Sequence, residues 1–427
     1  MSFPHYPAYK PSGVEWLGEV PEHWQEKPLK TITSINDEVL SDSLSPDYEI
    51  EYVDIGSVSL ANGIEKTEAM PFGDAPSRAR RIPRDGDVLV STVRTYLKAI
   101  APVVNPPLNL VASTGFAVVR PRHELESGFL QYALQEEHFI QQVISRSTGV
   151  SYPAINASDV AKISLNLPGA SEQLSIATFL DHEAAKIDAL IAEQQRLIEL
   201  LQEKRQAVIS HTVTKGLNPA APMKDSGVEW LGEVPDYWRV IPLRWAAKCC
   251  SGDGLSSAEI SSIVDDEHMV RVIGGNGLMG YTNQAKTTYS LLAIGRVGAL
   301  CGNVHIVHSP AWITDNALVL DPDPSIFDLG FLSLTLRSRN LNDIASKTAQ
   351  PLITATQVSD QRIPCPPLSE QQLIASYLSK QSEQFDTLST EAQRAIDLLQ
   401  ERRSALISAA VTGQIDVRGL VPEAEAA

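Results

Sequence analysis

"SEQLSIATFLDHEAAKIDALIAEQQRLIELLQEKRQAVISHTVTKGL", Ser171 to Leu217, aligns without a gap on "SEQQLIASYLSKQSEQFDTLSTEAQRAIDLLQERRSALISAAVTGQI", Ser369 to Ile415, with 22 of 47 positions identical. A stretch written twice in one chain is a repeat, and a repeat sets the architecture before any local reading does. In the first copy Ile176, Leu180, Ile187, Leu190, Ile191, Leu197, Ile198, Leu201 and Val208 recur three and four apart, the spacing of one helix face. In the second, Leu378, Phe385, Ala392, Leu399 and Leu406 fall seven apart. No proline interrupts either copy. Ser171 is expected as an N-cap, Ser369 with Gln372 makes a capping-box pattern, and Gly216 marks the end of the first helix. At ~1.5 Å per residue, some 40 residues make a rod roughly 60 Å long, too long to bury its stripe on one domain. The economical partner is the other copy. An antiparallel coiled coil is therefore expected, seamed by Leu180, Ile187, Ile191 and Leu201 on one helix and Leu378, Phe385, Leu399 and Leu406 on the other.

A second repeat precedes each body. "SGVEWLGEVPEHW" starts at Ser12 and "SGVEWLGEVPDYW" at Ser226, and 13 of the 19 positions up to Lys30 and Arg244 are identical. The chain thus divides into a first globular domain at residues 1–170, a helix at 171–216, a second globular domain at 217–368, a helix at 369–416 and a tail at 417–427. The second tryptophan segment follows the end of the first helix in sequence. Its twin follows the end of the second helix only if the arrangement is cyclic, with the chain opened at one point. Trp16, Leu17, Pro21 and Trp24, with Trp230, Leu231, Pro235 and Trp238, are expected to pin each domain to a helix end.

Both bodies read as α/β or α+β. Short β-branched runs such as "EYVDI", "DVLVS" and "GFAVVRP" in the first answer to "HMVRVI", "LLAIG" and "NALVLDP" in the second. "GFL" at Gly128 and Gly330 then opens a helical segment, a polar loop follows, and a last strand leads to a proline-containing exit. Catalytic signatures are not found. "NPPL", Asn105 to Leu108, lacks the aromatic residue that would hold a flipped base and is read as a loop. Gly275, Gly277 and Gly280 have dinucleotide-loop spacing, but a polar segment follows where an apolar helix should stand. His305 and His308 have no cysteine at finger spacing to complete a metal site. The four cysteines show no disulfide framework, the adjacent Cys249 and Cys250 being read as core, and no apolar run is long enough to span a bilayer. A cytoplasmic, non-catalytic protein is expected.

The tryptophan repeat, the long helix opening on "SEQ" after a proline-containing exit, and the ending "LLQERRSALISAAVTGQI" together resemble the specificity subunits of type I restriction-modification systems. The resemblance covers essentially the whole chain. It implies two target-recognition domains separated by two helices that form an antiparallel coiled coil, each domain reading one half of a bipartite double-stranded DNA sequence. It implies methyltransferase subunits carrying S-adenosylmethionine, and a motor-nuclease subunit using ATP and Mg, as partners. No cofactor or metal is expected on this chain. One departure is local: the first helix is preceded by "LPGASEQ" and the second by "PCPPLSEQ", the form closer to the family's usual exit.

The net charge of −17 opposes a freestanding nucleic-acid binder. It favours a competing class, an acidic tandem scaffold that assembles protein partners and never touches DNA; a third class, a catalytic DNA methyltransferase, is disfavoured by the broken "NPPL". Yet Arg78 to Lys98 carries six basic residues against two acidic ones. From that stripe Arg78, Arg80, Arg81, Arg94, Tyr96 and Lys98 are the DNA-binding candidates, joined by the loop residues Ser147, Thr148, Gly149 and Tyr152. Rough correspondence adds Lys286, Tyr289, Arg296 and Lys347 in the second body.

Overall fold

The computed structural model describes residues 3–12, 18–346 and 350–420. Trp16, Leu17 and Lys347 lie outside them. The chain forms two compact units, residues 1–194 with 394–427, and residues 195–393.

Each unit is built on the same plan. In the first, Ile100–Pro102, Val88–Ser91, Phe116–Pro121 and Thr33–Ile35 form an antiparallel sheet in that order. In the second, Val304–Val307, Leu291–Gly295, Ala317–Pro322 and Ala247–Ser251 repeat the order and every direction. An outer sheet lies over each: Glu68–Pro71, Glu49–Val53, Leu110–Ser113 and Ala79–Arg81 in one unit, Gly277–Thr282, Val270–Gly274 and Ala311–Ile313 in the other. The strand starting at Leu110 runs parallel to the one starting at Glu49, and the strand starting at Ala311 parallel to the one starting at Val270. "GGNGLMG" is the turn and second arm of a hairpin, consistent with the rejection of a dinucleotide loop.

The inner sheet is covered on both faces, which explains why its strands read as continuous apolar runs rather than alternating ones. Along Val88–Ser91, Val88 and Val90 belong to the core shared with the long helices, while Leu89 faces the outer sheet with Phe116 and Val118. In the second unit Leu292 and Ile294 face the helices, and Leu291 and Ala293 the outer sheet.

The long helices run Ala170–Lys215 and Leu368–Val411. Each contributes one half to each unit. In the first unit Ile176, Leu180 and Ile187 share a core with Leu406, Ile407 and Ala410, and Arg403 pairs with Asp188 at 3.1 Å. In the second, Val208 and Val213 share a core with Ile374 and Leu378, and Arg205 pairs with Asp386 at 2.6 Å. The pairing is antiparallel in both. Asp188 and Asp386, like Arg205 and Arg403, are separated by the same 198 residues as Ser171 and Ser369, so one ion pair is the repeat of the other. Leu180, Ile187, Leu201, Leu378, Phe385 and Leu406 are buried, and Ile191 and Leu399 half-buried, as seam residues should be. Leu190 and Leu197 do not belong to the seam: they are 45% and 42% exposed. Each precedes a seam isoleucine by one position, and a seam with a 3.5-residue period is too narrow to take in both neighbours.

Both helices also begin earlier than the capping pattern suggested. Ala170 and Leu368 are already helical, so Ser171 and Ser369 sit in the first turn rather than at the N-cap position. Gly216 does end the first helix, at φ +73°. Gly128 and Gly330 open the helices Ser127–Gln135 and Leu329–Ser338, where a side chain would meet Ala177 or Ala375 of the long helix packed behind. Cys301 and Cys365 are buried, but Cys249 is half-buried and Cys250 exposed, because their strand is an edge of its sheet. No helix among the described residues is long and apolar enough to cross a membrane.

Candidate nucleic-acid interface

The tryptophan repeats act as structural anchors. Trp24 is fully buried, and its Nε1 donates to Glu172 Oε1 at 3.1 Å, in the first turn of the first helix. The other side of the ring closes against Gly413, just past the end of the second helix. Trp238 repeats this in the second unit, donating to Glu370 Oε2 at 3.2 Å and lying against Gly216. Pro21, Pro235 and Leu231 are buried as well, and Trp230 is half-buried beneath Arg339. Around the first anchor His5 Nδ1 lies 2.8 Å from the Gln414 carbonyl, Asp416 N–H donates to the Pro4 carbonyl, and Arg418 lies over Tyr6. The two ends of the described chain therefore meet there, and the arrangement is cyclic.

Beside each anchor lies a tie that the sequence reading missed. Gln173 is buried; its Oε1 accepts from Glu126 N–H at 2.9 Å, and its Nε2 donates to the carbonyls of Glu124 and Pro168. Gln371 makes the same three bonds to Asp328 N–H and to the carbonyls of Ile326 and Pro366. The signal was the repeated "SEQ" itself, whose glutamate and glutamine bond the body rather than cap the helix.

Away from the helices, the ends of Val88–Ser91, Leu110–Ser113 and Glu49–Val53 converge on one corner of the first body. The loop Ser147–Ala154 closes it: Arg94 N–H donates to the Pro153 carbonyl, Ile155 N–H to the Thr92 carbonyl, and Thr148 and Ala154 exchange both bonds. Ser147 Oγ lies 2.8 Å from Thr95 Oγ1. A cleft of about 500 Å³ opens here, floored by Ser113, Thr114 and Gly115 and flanked by Arg78 and Arg94. Arg78 is braced by Tyr52, to whose hydroxyl its Nε donates at 3.0 Å; that bond raises its pKa further. Arg94 lies 4.9 Å over the Tyr152 ring. Tyr96, Leu97, Val150 and Tyr152 are exposed around it.

The basic stripe is consequently not one surface. Arg78 and Arg94 meet at the corner, with Tyr96, Ser147, Thr148, Gly149 and Tyr152. Arg80 instead covers Phe72 and pairs with Asp42 at 3.2 Å. Arg81, on the inward side of the strand, is half-buried with its Nε unpartnered, and burial lowers its pKa. Lys98 is neutralised by Glu137 at 2.9 Å. Strand alternation sends neighbouring residues to opposite faces, so basic residues adjacent in sequence diverge in space. Corner residues that the sequence reading passed over are Asp54, Gly56, Ser113, Thr114 and Gly115; Ser113 and Thr114 were missed because "LVAS", Leu110–Ser113, was not recognised as a strand.

The second body has the same corner with other residues. Gly298 N–H donates to the Pro351 carbonyl and Ile353 N–H to the Arg296 carbonyl, which makes Gly298 the counterpart of Arg94, and Arg296 that of Thr92. Arg296 reaches Ser251 Oγ at 3.1 Å. Lys286 and Tyr289 lie elsewhere. Lys286 pairs with Asp253 and covers Trp312, and Tyr289 donates to Asp321 beside Trp245 at the other end of the strand Leu291–Gly295. Their sequence positions were matched without the register that the strand pairing supplies. His305, on the strand Val304–Val307, has its pKa lowered by burial, and the described residues hold no group of three metal-ligating side chains.

Residues 21–201 and 265–397 match the family described as the type I restriction modification DNA specificity domain. The specificity subunit of the putative type I restriction enzyme MjaX of Methanocaldococcus jannaschii is 24% identical over 433 residues, covering 94% of this chain and 96% of that one. The EcoprrI specificity subunit of Escherichia coli is 34% identical over 151 residues, 34% of this chain and 36% of its own length. Among solved structures, a chain from work on assembly and conformational transition of the type I R-M system superposes with TM-score 0.69 at 23% identity, covering 93% of this chain and 99% of that one. The HsdS subunit from Thermoanaerobacter tengcongensis gives 0.51 at 23% identity, covering 93% and 98%.

Proposed function

Because the chain belongs to the type I restriction-modification DNA specificity family, we propose that it reads a bipartite, asymmetric double-stranded DNA target, one body per half-site, and scaffolds the subunits that act on that DNA. The observation that carries this reading is the pair of corners. Two bodies of one topology hold the same loops with the same backbone bonds, yet present Arg78, Arg94, Tyr96 and Tyr152 in one and Arg296 and Gly298 in the other. Loops that share a scaffold and differ in chemistry are what two unlike half-sites require.

The chain's own part is recognition, and catalysis falls to its partners. Methyltransferase subunits carry S-adenosylmethionine, and a restriction and motor subunit uses ATP and Mg, all in the cytoplasm where the DNA is. The acidic total is compatible with this because the corner's cations are concentrated locally while partner subunits supply phosphate contacts. The scaffold reading, which would leave the corners idle, gains no support from the relatives. Footprinting of the chain in complex with its methyltransferase subunit tests the proposal. Two protected segments separated by a constant unprotected gap are expected; a single continuous footprint or none would refute it.

A further inference from the structure

Arg94 and Gly298 occupy equivalent positions, both in the left-handed region, at φ +52° and φ +85°. Glycine adopts that conformation freely, whereas a side chain is strained in it. The first body holds an arginine where its twin shows that the fold is satisfied by glycine. Lys98, at φ +51°, closes the same short turn, Thr95–Leu97, so the chain is held left-handed on both sides of the exposed Tyr96. Strain that the scaffold does not require points to a task for the side chain.

The geometry points to Arg94 as the residue that reads a guanine in the first half-site, with Tyr152 as its positioning residue; this rests on the DNA-reading function proposed above. The Arg94 side chain is exposed, and among the described residues no carboxylate pairs with it. Its guanidinium lies over the Tyr152 ring. A guanidinium supported on its face keeps its edge N–H groups free, and that edge matches the O6 and N7 acceptors of guanine in the major groove. The backbone that carries Tyr152 is held in place, since Gly149, at φ +107°, lies close to the Tyr152 carbonyl and the adjacent Pro153 carbonyl accepts the Arg94 N–H. The other arginine at the cleft differs in kind: Arg78 has its Nε committed to Tyr52 and Asp54 3.8 Å away.

The test is methylation of a library of targets by the assembled complex, read by sequencing. Arg94→Gly installs the twin's residue and relieves the strain, so its melting temperature should not fall. It is expected to lose roughly 10- to 100-fold discrimination at one G·C pair of the first half-site, leaving the second half-site unchanged. Arg94→Lys keeps the charge but not the fork, and should lose most of the same discrimination. Tyr152→Leu should weaken discrimination at that one position by less. If Arg94→Gly weakens methylation of all targets equally, with a reduced salt dependence, Arg94 is a phosphate contact and the assignment fails. It fails as well if both Arg94 variants keep the parent's preference. A parent complex without any bipartite target would instead overturn the proposed function, which separates the two failures.

Discussion

In the first unit Trp24 donates to Glu172 at 3.1 Å, and Gln173 ties the helix start to the body through three bonds; in the second, Trp238 donates to Glu370 at 3.2 Å and Gln371 makes the same three. The corners share backbone bonds but not side chains: Arg94 stands against Gly298, Thr92 against Arg296, Tyr152 against Gln350. Identity is concentrated where body meets helix, and divergence where the loops meet solvent. The duplicated sequence is therefore a duplicated joint. What the joint presents outward is free to differ.

The comparison can be broken most forcefully at the anchors. Trp24→Ala removes a fully buried indole and its bond to Glu172, and should destabilise the first unit by about 3–5 kcal/mol in denaturant unfolding; Trp238→Ala should cost the second unit a similar amount. A large loss in one and none in the other would show that the joints are not equivalent. Gln173→Ala and Gln371→Ala come next. Each leaves one N–H and two carbonyls without their partner, about 2–3 kcal/mol. The helix ion pairs are the weakest members. Arg205→Ala and Arg403→Ala should each cost under about 1 kcal/mol, because Asp386 and Asp188 are 63% and 53% exposed.

Cyclic continuity makes a different kind of prediction. Pro219 to Pro222 is a connection between the first helix and the strand Met223–Asp225, exposed at Pro219, Ala220 and Pro222. A permutant opened there, with Ala427 joined to Met1 by a short flexible linker, moves the break from one joint to its repeat. It should fold with the parent's cooperativity and keep the parent's DNA target. A folded permutant that has lost the target would contradict the equivalence of the joints.

Much of the frame was legible because its physics is periodic. A seam residue every three or four positions, an uninterrupted run and a glycine end specify a long helix without reference to anything distant. The inner strands were legible for a related reason: covered on both faces, they are apolar throughout. Leu190 and Leu197 misled because apolar residues also flank a coiled-coil seam. Ser171 and Ser369 misled because the residues around them are spent on tertiary bonds rather than caps. The corner was only half legible. Arg78 and Arg94, sixteen residues apart, come together because Thr114 N–H donates to the Arg78 carbonyl and Thr92 N–H to the Gly115 carbonyl, long-range bonds that local pattern does not announce. Arg80, Arg81 and Lys98 share the same basic run but are turned to Asp42, the interior and Glu137. Charge in a sequence is a count, whereas charge on a surface depends on strand parity.

If each body reads its own half of the target, disabling one corner alone must blur one half and spare the other. In the double variant Arg78→Ala, Arg94→Ala, assembled with its methyltransferase partner, sequencing of methylated sites should return a target whose first half has become degenerate while the second half keeps every base. Loss of specificity in both halves together, or a target identical to the parent's, would show that the two bodies do not read separate half-sites.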